Sequence, residues 1–289
     1  MRIGVVFPQT ELGGDVGAVR AYGEAMEPLG FTHLLAYDHV VGADPAVHRG
    51  WSGPYDVSTT FHEPFVMFGY LAAVTRVELV TGIIILPQRQ SVLVAKQAAE
   101  VDLLTGGRFR LGVGVGWNAV EYEALGKTFG DRGRRMDDQV RLLRRLWTET
   151  SITSEGADET VTGAGLAPLP VQRPIPVWFG GSSDPAYRRI GRLGDGWFPQ
   201  VRPGPDLDHA LEVIAAGASD AGRDPESIGM EGRVVWSPDD PDRFLRQVES
   251  WRAAGASHLT VDTMRRDLDG VDAHLAALAR VAELTGLSD

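Results

Sequence analysis

Eight short apolar segments, separated by stretches with helical periodicity, constrain the fold of this chain more than any other feature. The segments are rich in Val, Ile and Leu and mostly lack strict alternation of apolar and polar residues. This pattern is typical of strands that are buried on both faces, as in a parallel sheet covered by helices. The predicted strands are residues 3–7, 33–36, 78–86, 108–113, 175–179, 196–199, 229–235 and 257–261.

Each predicted strand is followed by an amphipathic stretch that fits a helix. Pro64 and Pro185 suit a first helical turn, and Gly106 and Gly194 suit the position just after a helix end. The predicted helices are residues 16–29, 64–74, 92–104, 132–147, 185–193, 206–221, 241–254 and 271–284. This strict alternation predicts a single (β/α)8 TIM-barrel domain over residues 1–289, with an open doubly wound sheet as the less favoured alternative.

Two long insertions interrupt the pattern, one after the second strand and one after the fourth strand and its helix. Residues 42–62 carry Trp51, Tyr55 and Phe61 among Gly, Pro and Ser residues, which favours a lid over the barrel. Residues 148–173 are polar and rich in Gly, Thr and Glu, which favours a hairpin. The first insertion therefore carries the side chains better suited to contact a substrate.

Composition excludes several classes of protein. The formal net charge of −11 argues against nucleic acid or an anionic membrane as partner. The chain has no cysteine, which excludes disulfides, thiolate metal sites and cysteine nucleophiles. It starts with a core strand rather than a signal peptide, and no apolar run is long enough to span a membrane. We therefore expect a soluble, cytoplasmic protein that acts on a small molecule.

Residues 105–118 combine a helix end, a strand and three alternate glycines that lead into a polar loop. Gly112, Gly114 and Gly116 remove side chains from the strand end, so that a flat ring or a phosphate can approach the backbone. A dinucleotide-binding fingerprint needs Gly-x-Gly-x-x-Gly between a strand and a helix. Here the spacing is Gly-x-Gly-x-Gly, and two more residues follow before any helix can begin. The run therefore predicts a cofactor site of another kind.

Two other strand ends carry groups suited to chemistry, which in a (β/α)8 barrel lies at the carboxyl ends of the strands. Residues 180–183, Gly-Gly-Ser-Ser, open a helix and predict an anion site of free amides and hydroxyls. Asp38 and His39 form a carboxylate–imidazole pair that can hydrogen-bond a ring or move a proton. No His-Glu-x-x-His pattern or cluster of carboxylates indicates a metal.

The combination of these motifs resembles the bacterial luciferase-like monooxygenase superfamily, and within it the coenzyme F420-dependent oxidoreductases. The matching segments cover most of the chain in order. They are Gly30-Phe31, Asp38-His39, Glu63-Pro64-Phe65, Thr81-Gly82-Ile83, residues 95–116, Trp117-Asn118, Glu121-Tyr122, residues 177–182 and residues 193–197. The resemblance implies an oxidoreductase with a flavin or deazaflavin lying across the mouth of a luciferase-like barrel.

The resemblance also implies roles for particular positions. A bulge with a non-proline cis peptide near Ile83 and Ile84 would support the cofactor ring. Asp38 would touch the ring edge or orient the histidine, and His39 would act near the reacting carbon. The cofactor phosphate would lie between two strand ends, formed by Gly116, Trp117, Asn118, Gly180, Gly181, Ser182 and Ser183.

We expect coenzyme F420 as the cofactor and hydride transfer to or from a small organic substrate as the reaction. Phe7, Trp51 and Tyr55 are predicted to contact the substrate under the lid. The anionic tail of the cofactor would need a basic strip, for which the candidates are Arg49, Arg89, Arg108, Arg188 and Arg202. The resemblance also implies a homodimer.

Two alternatives to this function remain open. One is an FMN-dependent, two-component monooxygenase that uses oxygen and an external reductase. The other is a non-catalytic flavin- or deazaflavin-binding protein, against which the presence of His39 counts. A hydrolase would need a carboxylate pair or a metal site, and the sequence shows neither pattern.

Overall fold

Parallel strand pairing closes a barrel in the computed structural model, which describes residues 1–156 and 158–287. The strands are β1 (Arg2–Val6), β2 (His33–Ala36), β3 (Glu78–Thr81), β4 (Ile84–Ile85), β5 (Phe109–Gly114), β6 (Ile152–Glu155), β7 (Thr160–Ala164), β8 (Val177–Gly181), β9 (Gly196–Pro199), β10 (Gly229–Val235) and β11 (His258–Asp262). β1 pairs with both β2 and β11, so the first and last strands of the chain are neighbours in the barrel. β3 and β4 both pair with β5 and together form one of eight barrel strands in the described residues. The (β/α)8 TIM barrel is confirmed, and the open sheet is wrong.

Helices cover the outside of the barrel. They are α1 (Val16–Met26), α2 (Pro64–Leu71), α3 (Ser91–Thr105), α4 (Ala119–Ala124), α5 (Arg132–Thr148), α6 (Asp184–Leu193), α7 (Pro205–Asp220), α8 (Pro241–Ala253) and α9 (Gly270–Thr285). Pro64 begins α2 as predicted, and Gly106 ends α3 in the left-handed conformation. The short helix α4 is absent from the predicted helices. None of the described helices combines the length and apolar character needed to cross a membrane.

The third barrel strand is interrupted, whereas the sequence predicts one strand over residues 78–86. β3 ends at Thr81, the peptide bond between Gly82 and Ile83 is cis, and β4 begins at Ile84. The apolar residues on both sides read as one buried strand, and the local signal of the break is Gly82, since a glycine within a strand often marks a bulge. The resemblance does imply a bulge and a cis peptide at this position.

The two insertions differ in structure. Residues 42–62 contain no helix or strand, and their Tyr55 and Phe61 pack against His39 at the end of β2. Within residues 148–173, β6 and β7 pair antiparallel, which confirms the predicted hairpin. The first insertion therefore lies beside the mouth of the barrel.

The barrel interior changes character along its axis. Near the start of the strands, Arg110 Nη1 lies 2.7 Å from Glu231 Oε2, and His33 Nε2 lies 3.0 Å from Glu231 Oε1, with all three side chains buried. An apolar layer follows, formed by Val6, Leu35, Val80, Trp178 and Phe198. Side chains thus largely fill the lower barrel, and a cavity large enough for a cofactor opens towards the carboxyl ends of the described strands.

Candidate active site

A cavity of about 690 Å³ opens at the carboxyl ends of the barrel strands. This volume lies within the range of small-molecule and cofactor sites. Most of the predicted site residues line it. They are Asp38, His39, Tyr55, Ile83, Gly116, Trp117, Gly180, Gly181, Ser182 and Ser183.

Phe7 and Ile84 are predicted site residues that do not line the cavity. Phe7 is fully buried, and its ring packs edge-on against Tyr22 on α1 with centroids 5.3 Å apart. Ile84 is fully buried in the core between barrel and helices. Successive strand residues point to opposite faces, so Val6 and Ile83 face the barrel interior while Phe7 and Ile84 face outward. Their predicted contact with substrate or cofactor does not fit this geometry.

The alternate glycines of β5 admit the interrupted strand beside them. A Cβ atom added at Gly112 would lie 1.8 Å from the carbonyl oxygen of Thr81, and one at Gly114 would lie 2.5 Å from Ile83 Cδ1. Gly116, with φ of +64°, meets a β4 side chain in the same way. The glycine run is thus required by packing between strands, although Gly114 and Gly116 also line the cavity.

Asp38 is buried at the edge of the cavity and held by two groups. Its carboxylate accepts hydrogen bonds from Arg89 Nη2 at 2.8 Å and from the Ile85 amide at 3.2 Å. Burial raises the pKa of Asp38, and the adjacent Arg89 guanidinium opposes that rise. Asp38 therefore anchors β4, and no hydrogen bond joins it to His39 within the described residues. Its direct contact with a cofactor ring stays a prediction.

The carboxylate beside His39 belongs to Glu121, which the sequence did not assign to the site. His39 Nδ1 lies 3.6 Å from Glu121 Oε2, and the Glu121 side chain is 1% exposed. Glu121 Oε1 accepts hydrogen bonds from the amides of Val40 and Val41. Burial alone would raise the pKa of Glu121, but the nearby His39 imidazole and hydrogen bonds from the Val40 amide and Gln88 lower it below its ordinary value. Glu121 is therefore ionised and able to orient the imidazole.

Asn118 explains how Glu121 reaches His39. Its side chain accepts hydrogen bonds from the amides of Val120 and Glu121 at 3.1 and 3.3 Å, and so caps α4. The cap starts the helix at Ala119 and places Glu121 in its first turn. Asn118 is buried and does not line the cavity, so its predicted place at a cofactor phosphate does not fit. Asn-x-x-Glu spacing, typical of helix starts, was the available signal for Glu121.

Aromatic rings enclose His39 on the open side of the cavity. Ring centroids of Phe61, Tyr55 and Trp117 lie 4.7, 5.0 and 5.7 Å from that of His39. Trp51 lines a neighbouring groove rather than this cavity, and its Nε1 donates a hydrogen bond to the Tyr55 carbonyl at 2.9 Å. Nδ1 of His39 faces Glu121, while Nε2 has no hydrogen-bond partner in the part of the chain that the structure describes. Nε2 is thus the nitrogen open to a ligand.

Residues 180–183 present polar groups where β8 leads into α6. The hydroxyls of Ser182 and Ser183 line the cavity and make no hydrogen bond with any described residue. A Cβ atom added at Gly181, where φ is +151°, would lie 2.7 Å from the side chain of Ala186. Exposed hydroxyls beside the first amides of a helix are suited to hold a phosphate.

Basic side chains occur in the cavity at positions other than those predicted. Arg233 at the end of β10, and Arg265 and Arg266 after β11, line it. None of the members of the predicted basic strip lines this cavity, and their contact with a cofactor tail stays a prediction. Those members are Arg49, Arg89, Arg108, Arg188 and Arg202. Arg89, for example, is ion-paired with Asp38 and Glu63.

The described residues hold no group of three His, Cys, Asp or Glu side chains that could bind a metal ion. The fold and the site together define a barrel enzyme with an imidazole–carboxylate pair at a ligand cavity. The luciferase-like monooxygenase family model matches residues 1–286, and the chain belongs to this family. It is 31% identical over 237 residues to the F420-dependent glucose-6-phosphate dehydrogenase of Intrasporangium calvum. That match covers 78% of this chain and 67% of the relative.

Solved structures share the fold at low sequence identity. An F420-dependent secondary alcohol dehydrogenase, in complex with an F420–acetone adduct, matches with a TM-score of 0.79 at 17% identity, covering 100% of this chain and 99% of that one. EDTA monooxygenase from Chelativorans sp. BNC1 matches with a TM-score of 0.78 at 14% identity, covering 100% and 95%. Both likenesses support the luciferase-like barrel.

Proposed function

We propose that this protein transfers a hydride between coenzyme F420 and a small organic substrate at the mouth of the barrel. The pairing of His39 with Glu121 at the cavity carries the proposal, because it supplies a proton-transfer group next to space for a cofactor. The 31% identity to an F420-dependent dehydrogenase supports the choice of cofactor. The fold shared with an F420-dependent alcohol dehydrogenase is consistent with it.

The cavity residues fit a flat ring joined to a phosphate. Ile83 projects from the bulge, and the backbone of Gly114 offers no side chain beside it, which leaves an apolar surface for a ring. Ser182 and Ser183 supply donors for the phosphate at the start of α6. When bound, the deazaflavin supplies a carbon that gives or accepts a hydride.

Residues of this chain then carry the proton chemistry. His39, the catalytic residue, takes up or gives the accompanying proton at Nε2. Glu121 is a positioning residue, because it holds Nδ1 of His39 and so selects the nitrogen that faces the ligand. Asp38 keeps β4 in place beneath the ring. Tyr55 and Trp117 exclude water around the imidazole.

An anaerobic titration with coenzyme F420 and, separately, FMN tests this proposal by cofactor fluorescence. We expect F420 to bind at least about tenfold more tightly than FMN. Replacing Ser182 and Ser183 together by alanine is expected to weaken F420 binding by about tenfold, the scale of hydrogen bonds to a charged group. Ser219→Ala on the exposed side of α7 is the matched control and leaves the affinity unchanged.

Two results would contradict the proposal. Tight FMN binding with weak F420 binding would indicate a monooxygenase that uses reduced FMN and oxygen. Binding of neither cofactor would show that the cavity at residues 180–183 is not a flavin or deazaflavin site.

A further inference from the structure

Three arginines line one wall of the cavity, although the chain carries a formal net charge of −11. Arg233 belongs to β10, and Arg265 and Arg266 follow β11. The described carboxylates that line the same cavity are Asp38 and Asp262. Asp38 is already ion-paired with an arginine outside the lining. Positive charge therefore prevails on this wall, which β9 separates from the end of β8.

The charges of these arginines are not neutralised by neighbouring carboxylates. No guanidinium nitrogen of the three lies within 4.0 Å of a carboxylate oxygen among residues 1–156 and 158–287. Arg233 instead donates a hydrogen bond from Nη1 to Tyr37 Oη at 3.0 Å. Tyr37 Oη in turn donates to Asp262 Oδ2 at 3.4 Å, and Asp262 Oδ1 accepts from the Met264 amide at 2.9 Å. A neutral hydroxyl thus orients Arg233 without cancelling its charge.

Arg265 lies close to the proposed proton-transfer group. Its φ is +58°, a conformation that non-glycine residues adopt rarely and often at functional sites. Its backbone amide donates a hydrogen bond to the Glu11 carboxylate, which ties the loop after β11 to the segment after β1. Arg265 Cζ lies 5.6 Å from the Tyr55 ring centroid, and Tyr55 packs against His39. A group bound by Arg265 is therefore separated from His39 by about one aromatic ring.

We propose that Arg233, Arg265 and Arg266 bind an oxyanion group of the substrate, either a carboxylate or a phosphate ester. This inference rests on the proposed function, because it takes the cavity to be the place of hydride transfer. Guanidinium groups recognise both oxyanions through paired, charge-assisted hydrogen bonds. The proposed donors for the cofactor phosphate are Ser182 and Ser183 after β8, two strands away from β10, so each anion has its own donors. The substrate is thus a small anion whose reacting carbon lies beside His39.

Calorimetric titration of the cofactor-free protein at low ionic strength tests the arginine wall directly. The probes are inorganic phosphate, succinate and the neutral analogue succinamide. We expect at least one of the two anions to bind and succinamide not to bind. Arg233→Gln and Arg265→Gln are each expected to weaken anion binding by about tenfold, while Arg233→Lys retains part of the affinity. Arg202→Gln, an exposed arginine outside the lining, is the matched control.

The same variants, checked for folding by circular dichroism, are titrated with F420, and we expect affinities within about threefold of wild type. Preference for phosphate would indicate a phosphate ester, and preference for succinate a carboxylate. Failure of both anions to bind, or equal binding to wild type and the glutamine variants, would overturn the inference. An equal loss of F420 affinity would also overturn it, because the arginines would then hold the cofactor. If the wild-type protein binds anions through these arginines but does not bind F420, the proposed function is wrong and the anion site at the arginines is still supported.

Discussion

His39, the proposed proton-transfer group, lies beside a carboxylate that is distant from it in the sequence. With the Glu121 carboxylate 3.6 Å from Nδ1, we expect the imidazole to carry a hydrogen on that nitrogen. The lone pair is then on Nε2, towards the ligand. Glu121 can hold this arrangement because two backbone amides and Gln88 fix its carboxylate.

A double-mutant cycle tests whether Glu121 acts through His39. We expect His39→Gln to lower kcat by about 100-fold, within the range of general acid–base catalysis. Glu121→Gln is expected to lower kcat by about tenfold, with F420 affinity within about threefold of wild type. The double variant should be no slower than His39→Gln alone, since the two residues act as one unit.

Glu123→Gln provides the matched control, because Glu123 is exposed on the same helix α4. It should leave kcat unchanged. Additive effects of the His39 and Glu121 substitutions would show that Glu121 contributes only to stability or to another step.

At this scale the sequence identified the polar strand-end residues but not their partners. Three of these residues lie at or just after the carboxyl ends of their strands, namely His39, Gly180 and Ser183. Their place at the mouth could therefore be predicted from the barrel alone. Glu121 could not, because its contact depends on a helix that its neighbour Asn118 caps. Nor could Arg233, since its exposure to the cavity depends on register along β10.

Among the elements, β5 and the interrupted strand pack so closely that neither Gly112 nor Gly114 has room for a Cβ atom. Gly112 faces a backbone carbonyl, whereas Gly114 faces the end of the flexible Ile83 side chain. The backbone carbonyl cannot move aside for a new methyl group, whereas the Ile83 side chain can rotate. The two glycines therefore differ in what a substitution would disturb.

Gly112→Ala and Gly114→Ala are expected to have different effects. Gly112→Ala forces β3 and β5 apart and should lower the free energy of unfolding by about 3 kcal/mol, the upper range for overpacking. Gly114→Ala should cost about 1 kcal/mol, but it pushes Ile83 into the cavity and weakens F420 binding by about tenfold. Urea denaturation and fluorescence titration measure the two quantities.

Truncation of the neighbour provides the control for Gly114→Ala. Adding Ile83→Ala makes room for the new methyl group and should restore F420 affinity to within about threefold. If Gly114→Ala instead destabilises the fold as much as Gly112→Ala, the explanation based on Ile83 is wrong.

Most elements could be predicted from the sequence, because buried parallel strands and amphipathic helices have distinct periodicities. The barrel and the β6–β7 hairpin are confirmed. The break between β3 and β4 is marked only by Gly82 within a mostly apolar run, and α4 has only six residues, too few for a clear period.

The whole molecule depends on a charged layer that fills the lower barrel. Glu231 links Arg110 to His33, and Arg110 also contacts Glu78 at 3.2 Å and lies 4.1 Å from a Trp178 ring centroid. Burial alone would raise the pKa of Glu231, but Arg110 and His33 lower it well below its ordinary value. Removing one partner would leave buried charge unpaired, which is strongly destabilising.

His258 makes the stability of the barrel dependent on pH. Burial and, to a smaller extent, the charge of Arg110 lower the pKa of His258 to about 3. The ordinary histidine pKa is about 6.5, so between pH 6.5 and 3 the unfolded chain binds a proton that the folded chain does not. The free energy of unfolding therefore falls as pH falls through this range.

His258→Gln should remove this proton, so that unfolding at pH 5 takes up about one proton fewer than in wild type. Urea denaturation between pH 4.5 and 7 gives this number from the slope of unfolding free energy against pH. Equal slopes for the two proteins over this pH range would contradict the assignment, whereas a difference in unfolding free energy at pH 7, with unequal slopes below it, reflects lost packing against Trp178. The homodimer stays a prediction at this scale.

The filled lower barrel also limits the routes by which ligands reach the cavity. Since charged and apolar layers fill the amino-terminal end, the proposed cofactor and substrate would share one entrance at the other end. Whichever of the two lies deeper must arrive first and leave last. A barrel filled at its amino-terminal end would thus fix the order in which cofactor and substrate bind and leave. That order would depend on the Glu231 layer, although this layer contacts neither molecule.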